Sequence, residues 1–193
     1  MRRTAEDAEK TRIELLKAAI FTFEEKGWAG ATFEAIANKA GVTRGAINHH
    51  FRNKQVLLVE SLEWGWKDFA DKIFSRPAKN TEDFIKNLLN DYVELLQKNS
   101  EFRALAYATI MISPQVVGVG YEKDDEFSYW RARIVNSIKE KETALKAETI
   151  ANIVLTLLNG FTVTAVIDKK NIPSQKELNA AFSKVTSALL AET

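Results

Sequence analysis

The chain has 193 residues and no cysteine, which excludes disulfides, thiolate metal sites and a cysteine nucleophile. Its 46% hydrophobic and 27% charged residues are those of an ordinary globular chain, long enough to bury a sizeable core in one domain or two. A net charge of +1 does not by itself point to a nucleic-acid partner, although residues 1–54 hold ten Lys/Arg against seven Asp/Glu and the remainder 17 against 19.

The N-terminus, MRRTAEDAEK, is charged and lacks the apolar run of a signal peptide. Arg2 and Arg3 either reach a DNA minor groove as a flexible arm or form a frayed tail. Residues 4–26 are predicted helical: Thr4 with Asp7 resembles a capping box, and Ile13, Leu16, Ile20 and Phe23 repeat at helical spacing beside Leu15 and Ala19. Gly27 ends this helix, the expected prop for the two short helices after it.

Residues 32–54, TFEAIANKAGVTRGAINHHFRNK, read as two short helices joined by a tight turn. Phe33, Ile36, Ala37 and Ala40 give the first an apolar face, and Thr32 is its N-cap candidate. Gly41 suits the left-handed conformation that closes a helix, and Val42 fits the buried position of the turn. Thr43 opens the second helix, which runs to His50 or Phe51. This is the layout of a helix-turn-helix, whose second helix enters the DNA major groove. At about 100° per residue, Ile47 and Phe51 fall within roughly 40° of one another and form the apolar edge. Arg44, Gly45, Asn48 and His49 lie opposite, with Arg52 close by. Gly45 and Ala46 remove bulk where the backbone must approach another surface. Arg44 can fork onto guanine and Asn48 can pair with adenine. His50, on the flank, suits a phosphate, as does Lys54, which follows the cap candidate Asn53 at the start of the next helix. Thr32, Thr43, Arg44, Gly45, Ala46, Asn48, His49, His50 and Lys54 are the candidate DNA-binding residues.

Residues 10–62 resemble the DNA-binding region of the TetR family of transcriptional regulators. The resemblance rests on Ala18, Phe23, Gly27, Thr32, Ile36, Ala37, Ala40, Gly41, Val42, Thr43, Ile47, His50, Phe51, Lys54 and Leu57, and the run from Gly41 to Ile47 is nearest to members that control drug-efflux and stress genes. The family usually has Tyr where this chain has Asn48, and often an aromatic where it has His49. The contacts of that Tyr therefore do not transfer, and a different operator is expected.

Residues 54–75 begin a connecting helix with Val56, Leu57, Val59 and Leu62, then Trp64, Trp66, Phe69 and Phe74. Gly65, in its interior, marks a kink or a close-packing site. Pro77 breaks the chain, which sets the expected domain boundary near Arg76. Residues 80–98 are amphipathic, with Phe84, Leu88, Tyr92 and Leu95 on one stripe. A short apolar helix over 101–112 should end at Pro114. Residues 115–125, with Gly118 and Gly120, read as a loop. Residues 126–140 are helical again, aligning Phe127, Trp130, Ile134 and Ile138. No strand alternation, repeat or low-complexity tract occurs. Residues 144–167 are apolar on nearly every side and so must be covered all round. The stretch 150–167 nevertheless contains Asn152, Thr156, Asn159, Gly160, Thr162 and Thr164, so no membrane span and no membrane partner are expected, and the cytoplasm is the default location. After Asn171-Ile172-Pro173, Ser174 caps a last helix to Leu190 aligning Leu178, Phe182, Val185 and Leu189.

A hairpin of such helices either pairs with its two-fold mate, giving a homodimer through about 144–191, or closes a monomeric bundle. In the resembled family the last two helices form the dimer interface. A dimer also suits the reader, because two-fold proteins engage paired half-sites of a palindromic double-stranded operator.

The two histidines are adjacent and do not face one another on a helix, a poor metal pair. No Gly-rich phosphate loop or GxSxG elbow occurs, so an enzyme is not expected, nor any cofactor. Trp66, Phe69, Phe102, Tyr107, Met111, Trp130 and Phe161 either pack the core or line an apolar cavity, with Asn159 as a polar handle, together with Trp64 and Tyr129. The resembled family keeps an inducer pocket in this region, implying a small apolar or amphipathic effector. The expected fold is all-α: a three-helix helix-turn-helix DNA-binding domain over 1–54, a connecting helix over about 54–75, and a larger ligand-binding and dimerisation bundle over 76–193, about nine helices in total. The expected function is a DNA-binding transcriptional regulator, a ligand-released repressor. The alternatives are a small-molecule-binding protein with a vestigial helix-turn-helix and a ligand-independent DNA-binding dimer.

Overall fold

The computed structural model describes residues 5–117, 126–139 and 143–191. Arg2 and Arg3, the cap at Thr4, the loop glycines Gly118 and Gly120 and the expected helix end at 140 lie outside them. The described residues are helical, without strands, as the periodicity requires. We number the helices α1 (Ala5–Gly30), α2 (Phe33–Lys39), α3 (Arg44–His50), α4 (Lys54–Phe74) and α5 (Thr81–Lys98). Next comes α6, which starts as Ser100–Tyr107, passes through a π-helical turn at Ala108–Ile112 and continues as Ser113–Val117. The last three are α7 (Glu126–Ser137), α8 (Ala147–Asp168) and α9 (Gln175–Leu190).

The described residues form two compact units, Met1–Trp66 with Ala104–Tyr121 and Lys67–Arg103 with Glu122–Thr193. The first unit takes in α4 as far as Trp66. Two local facts explain the first unit. α4 continues through Trp66 without a break, and Leu105 packs on Gly65: a Cβ at Gly65 would stand 2.9 Å from a Leu105 methyl and 3.4 Å from one of Ile20. Gly65 is therefore a close-packing site and not a kink. Trp66 Nε1 donates to Thr109 Oγ1 at 2.9 Å, and that hydroxyl donates to the Leu105 carbonyl at 2.9 Å. The core of this unit is Leu15, Leu16, Ile20, Phe23, Ile36, Ile47, Phe51, Leu57 and Leu58, all essentially without exposure.

Pro114 does not end α6 where the sequence places its end, and residues 115–117 are helical instead of looped. A proline ring in a regular helix strikes the carbonyl four residues back. Here Ser113 N–H bonds the Ala108 carbonyl, five residues back, and such a widened turn absorbs the misfit.

In the second unit α5 packs against both α8 and α9, and α7 against α8. Contact on two sides broadens the buried face of α5. Leu88 and Tyr92 are buried as expected, but Ile85, Leu89, Val93 and Leu96 complete that face, while Phe84 and Leu95 sit at its half-buried edge. Tyr92 is the hub of the core. Its ring meets Phe102 at 5.0 Å and Trp130 at 5.7 Å, both edge-to-face, while Phe69 meets Phe102 at 4.8 Å and Phe74 meets Trp130 at 5.3 Å. α9 opens with a reciprocal capping box between Ser174 and Glu177. Its buried positions are Leu178, Phe182 and Thr186, so Val185 faces outward, contrary to the alignment read from sequence.

α8 is also uncovered on one side within the chain: Ile153, Val163 and Ile167 are 38%, 39% and 75% exposed. The segment Ala147–Asn171 is long and apolar enough to cross a membrane by length and composition, against the expectation from its Asn and Thr content. Its Ile150, Ala151, Val154, Leu155 and Leu158 are nonetheless buried in the unit's own core, as in the central helix of a bundle.

Candidate nucleic-acid interface

The helix-turn-helix is built by local chemistry that the sequence states openly. Thr32, in extended conformation, accepts the Ala35 N–H on its hydroxyl at 3.1 Å and caps α2. Gly41 has φ 68°, and a Cβ there would meet nothing within 4 Å, so backbone conformation alone calls for glycine. The turn closes with Gly41 N–H on the Asn38 carbonyl and Val42 N–H on the Ala37 carbonyl. Val42 is half-buried where full burial was expected, because it sits in the turn itself. Thr43 repeats the cap, accepting the Ala46 N–H at 3.2 Å. Ile47 and Phe51 are 0% and 1% exposed, and they anchor α3 to the core.

That anchoring turns Arg44, Gly45, Asn48 and His49 to solvent together, with Arg52 exposed just beyond. Ala46 is half-buried. At Gly45 a Cβ would meet only the Thr43 hydroxyl, at an ordinary 3.7 Å. Nothing inside the chain requires a glycine there, although glycine in a helix costs about 1 kcal/mol relative to alanine. His50 is half-buried, its ring 5.5 Å from that of His49 and 6.2 Å from that of Phe51.

Lys54 is held more closely than the sequence suggests. Its ammonium stands 4.1 Å from the centroid of the Trp28 ring and donates to the Trp28 carbonyl. Burial draws its pKa below the ordinary lysine value. Asn53 caps α4, its side chain accepting the Val56 N–H at 2.9 Å. Sequence reasoning missed Trp28. Its one legible signal is an aromatic directly after Gly27, the residue at which α1 kinks before ending at Gly30, and its partner lies 26 positions on.

The pattern described as bacterial regulatory proteins, tetR family, matches residues 15–60, which include both capped helices and the turn. The chain is 38% identical over 96 residues to the HTH-type transcriptional regulator CymR of Pseudomonas putida, covering 48% of this chain and 47% of that protein. It is 46% identical over 63 residues to the HTH-type transcriptional regulator TtgR, also of Pseudomonas putida, covering 33% of this chain and 30% of that one. The fatty acid degradation regulator FadR of Bacillus halodurans superposes with a TM-score of 0.75 at 18% identity, over 99% of this chain and 97% of that one. Residues 15–60 of this chain are a DNA-binding region of the tetR family type.

The matches to the curated relatives therefore span less than half of their lengths, whereas the likeness of fold covers nearly the whole chain. Regulators of the TetR family bind operator DNA, act as dimers and respond to small-molecule effectors.

The residues proposed from sequence to line a cavity fall into two sets. Trp66, Tyr107 and Met111 belong to the first compact unit; Phe69, Phe102, Trp130, Asn159 and Phe161 belong to the second. Trp66, Phe69, Phe102 and Trp130 are buried, Tyr107, Asn159 and Phe161 half-buried, and Met111 exposed. Phe69, Phe102 and Trp130 are joined through Tyr92, and Phe161 meets Phe182 edge-to-face at 5.6 Å. Two surface hollows of the second unit, about 420 and 470 Å³, are lined by other residues: one by Ile73, Leu95, Lys72 and Asp91 among others, the second by Asn80, Glu82, Ser187 and Leu190 with Ala191.

Proposed function

We propose that this chain is a dimeric, sequence-specific DNA-binding transcriptional regulator of the TetR family that acts as a repressor in the cytoplasm and has no catalytic role. The observation that carries the reading is the outer face of α3, where Arg44, Gly45, Asn48 and His49 are exposed together and Gly45 answers no need of the fold. A small residue between hydrogen-bonding side chains lets a helix lie close in a major groove. Thr32, Thr43, Ala46, His50 and Lys54 are assigned to the same surface as caps, close-approach and backbone contacts.

The functional partition is then as follows: residues 1–54 read DNA, the helix starting at Lys54 connects, and 76–193 bind effector and dimerise through about 144–191. The uncovered apolar side of α8 supports the dimer. An effector that binds two dimer states unequally shifts their populations, and tenfold release of DNA needs about 1.4 kcal/mol of difference. One observation favours the ligand-independent alternative: Phe69, Phe102 and Trp130 pack ring on ring around Tyr92 instead of standing apart.

The test is a gel shift on the DNA upstream of the chain's own gene, followed by selection of preferred duplexes. Arg44→Ala and Asn48→Ala are expected to cost about 1–3 kcal/mol at one base position each. A loss spread evenly over all operator variants would make these two residues phosphate contacts. No shifted band at low salt would leave the small-molecule-binding alternative.

A further inference from the structure

Gly27 leaves the helical conformation (φ 63°, ψ −176°) and redirects the chain at the end of α1. Trp28 comes next, its indole nearly parallel to the buried Phe23 ring, with centroids 5.7 Å apart and planes within 12°. A ring fixed in this way is a firm support for the Lys54 ammonium 4.1 Å from its centroid. One ammonium N–H goes to the Trp28 carbonyl; an ammonium carries three, so donors remain. Among the described residues no carboxylate lies within ion-pair distance of Lys54, in contrast to Lys39 on Glu25, Lys72 on Asp68 and Lys98 on Glu94. The positive charge is thus held in place but not neutralised. It stands on the first turn of α4, where backbone N–H groups have no partner within the helix and the helix dipole favours an anion.

We propose that Trp28 is a positioning residue for DNA binding, its ring and carbonyl holding the Lys54 ammonium ready for a backbone phosphate. A free surface lysine loses rotamer freedom when it meets its partner, and that loss weakens binding. Lys54 has lost it in the unbound protein, so its phosphate contact is stronger than an ordinary lysine would make. This rests on the reading of Lys54 as a phosphate contact.

The experiment measures affinity of the full-length protein for a labelled duplex of mixed sequence, about 30 base pairs, across a salt series. The phosphate contribution is independent of sequence, so no operator is needed. Lys54→Ala is expected to reduce the slope of log K against log salt by about one per bound subunit, hence about two for a dimer. Trp28→Leu, which keeps apolar bulk and removes the π face, is expected to weaken binding about three- to tenfold at low salt. Trp28→Phe keeps a ring for Phe23 but attracts a cation less strongly, and falls between; it also serves if the leucine variant does not fold, which circular dichroism reports. In the Lys54→Ala background neither Trp28 substitution should weaken binding further, which a merely structural role would not predict. If the losses multiply in the double variants, or if the Trp28 variants change only the melting temperature, the positioning role is overturned. If Lys54→Ala leaves the slope unchanged, the phosphate contact itself is wrong. If the wild-type chain ignores the duplex at low salt, the DNA-binding reading is wrong.

Discussion

At the scale of single residues, Tyr92 and Thr162 show how one hydrogen atom each decides an energetic order. Their hydroxyls are 2.6 Å apart in the buried core of the second unit, and Thr162 also donates to the Leu158 carbonyl at 2.8 Å. Thr162 has a single hydroxyl proton, so Tyr92 is the donor between them. Burial pushes the Tyr92 phenol above its ordinary value, so it remains a protonated donor through the neutral range. Tyr92→Phe removes the donor and leaves Thr162 bonded to Leu158, at a cost of about 0.5–1.5 kcal/mol. Thr162→Val leaves the buried Tyr92 hydroxyl without its acceptor and should cost more, about 1–3 kcal/mol. Urea denaturation of the two variants checks the order, and the reverse order would mean that Tyr92 has another acceptor.

At the scale of elements, what was legible in the sequence is what a few neighbouring residues determine. Thr32 and Thr43 cap their helices, Gly41 takes the left-handed conformation, and Ile47 and Phe51 turn inward, because each depends on partners within four positions. Illegible were the features set by distant packing. The π turn before Pro114 exists because α6 stays docked in the first unit, where α1 packs against it, and no local pattern announces that. The broad buried face of α5 comes from two neighbouring helices, and the Lys54–Trp28 contact from a fold that joins two helix ends. Gly65 lies between the two cases: the sequence marked it as unusual, and only the Leu105 methyls explain it. At Gly65→Ala two effects compete. Alanine gains about 1 kcal/mol of helix propensity, but its Cβ would stand 2.9 and 3.1 Å from the two methyls of Leu105, which is 0% exposed and would have to shift. Overpacking costs typically 1–3 kcal/mol, so we expect a net loss of about 1 kcal/mol. Leu105→Ala in the same chain should turn the Gly65 substitution from harmful to helpful, a sign change that a double-mutant cycle by thermal melting detects. Additive losses would mean that the contact is not what requires glycine.

At the scale of the whole molecule, the proposed function asks a chain with net charge +1 to hold a polyanion. Phosphate binding grows with the number of cations aimed at the backbone, and one copy has few to aim. A two-fold dimer doubles them and sets two α3 helices on one operator, so dimerisation is part of recognition itself. The surface proposed for it is the uncovered apolar side of α8. Ile153, Gly160, Val163 and Ile167 fall within roughly 80° on a helical wheel; all four are exposed, and open space surrounds the Gly160 position. On α9 the exposed Ala181, Val185 and Ala188 share a face in the same way. Apolar side chains gain about 1.5–3 kcal/mol each on full burial, and a two-fold interface counts every substitution twice. Val163→Glu with Ile167→Glu would therefore remove four such burials and bring four carboxylates together. The pair is expected to yield a monomer by sedimentation with the melting of each chain's own core little changed, since both residues are exposed in the single copy. Operator affinity should fall far more than affinity for mixed-sequence duplex, because the monomer loses half of the phosphate contacts on either DNA but loses the base contacts of a second half-site only on the operator. A variant that remains dimeric would move the interface elsewhere. A wild-type chain that sediments as a monomer would leave the apolar side of α8 without a function in DNA binding.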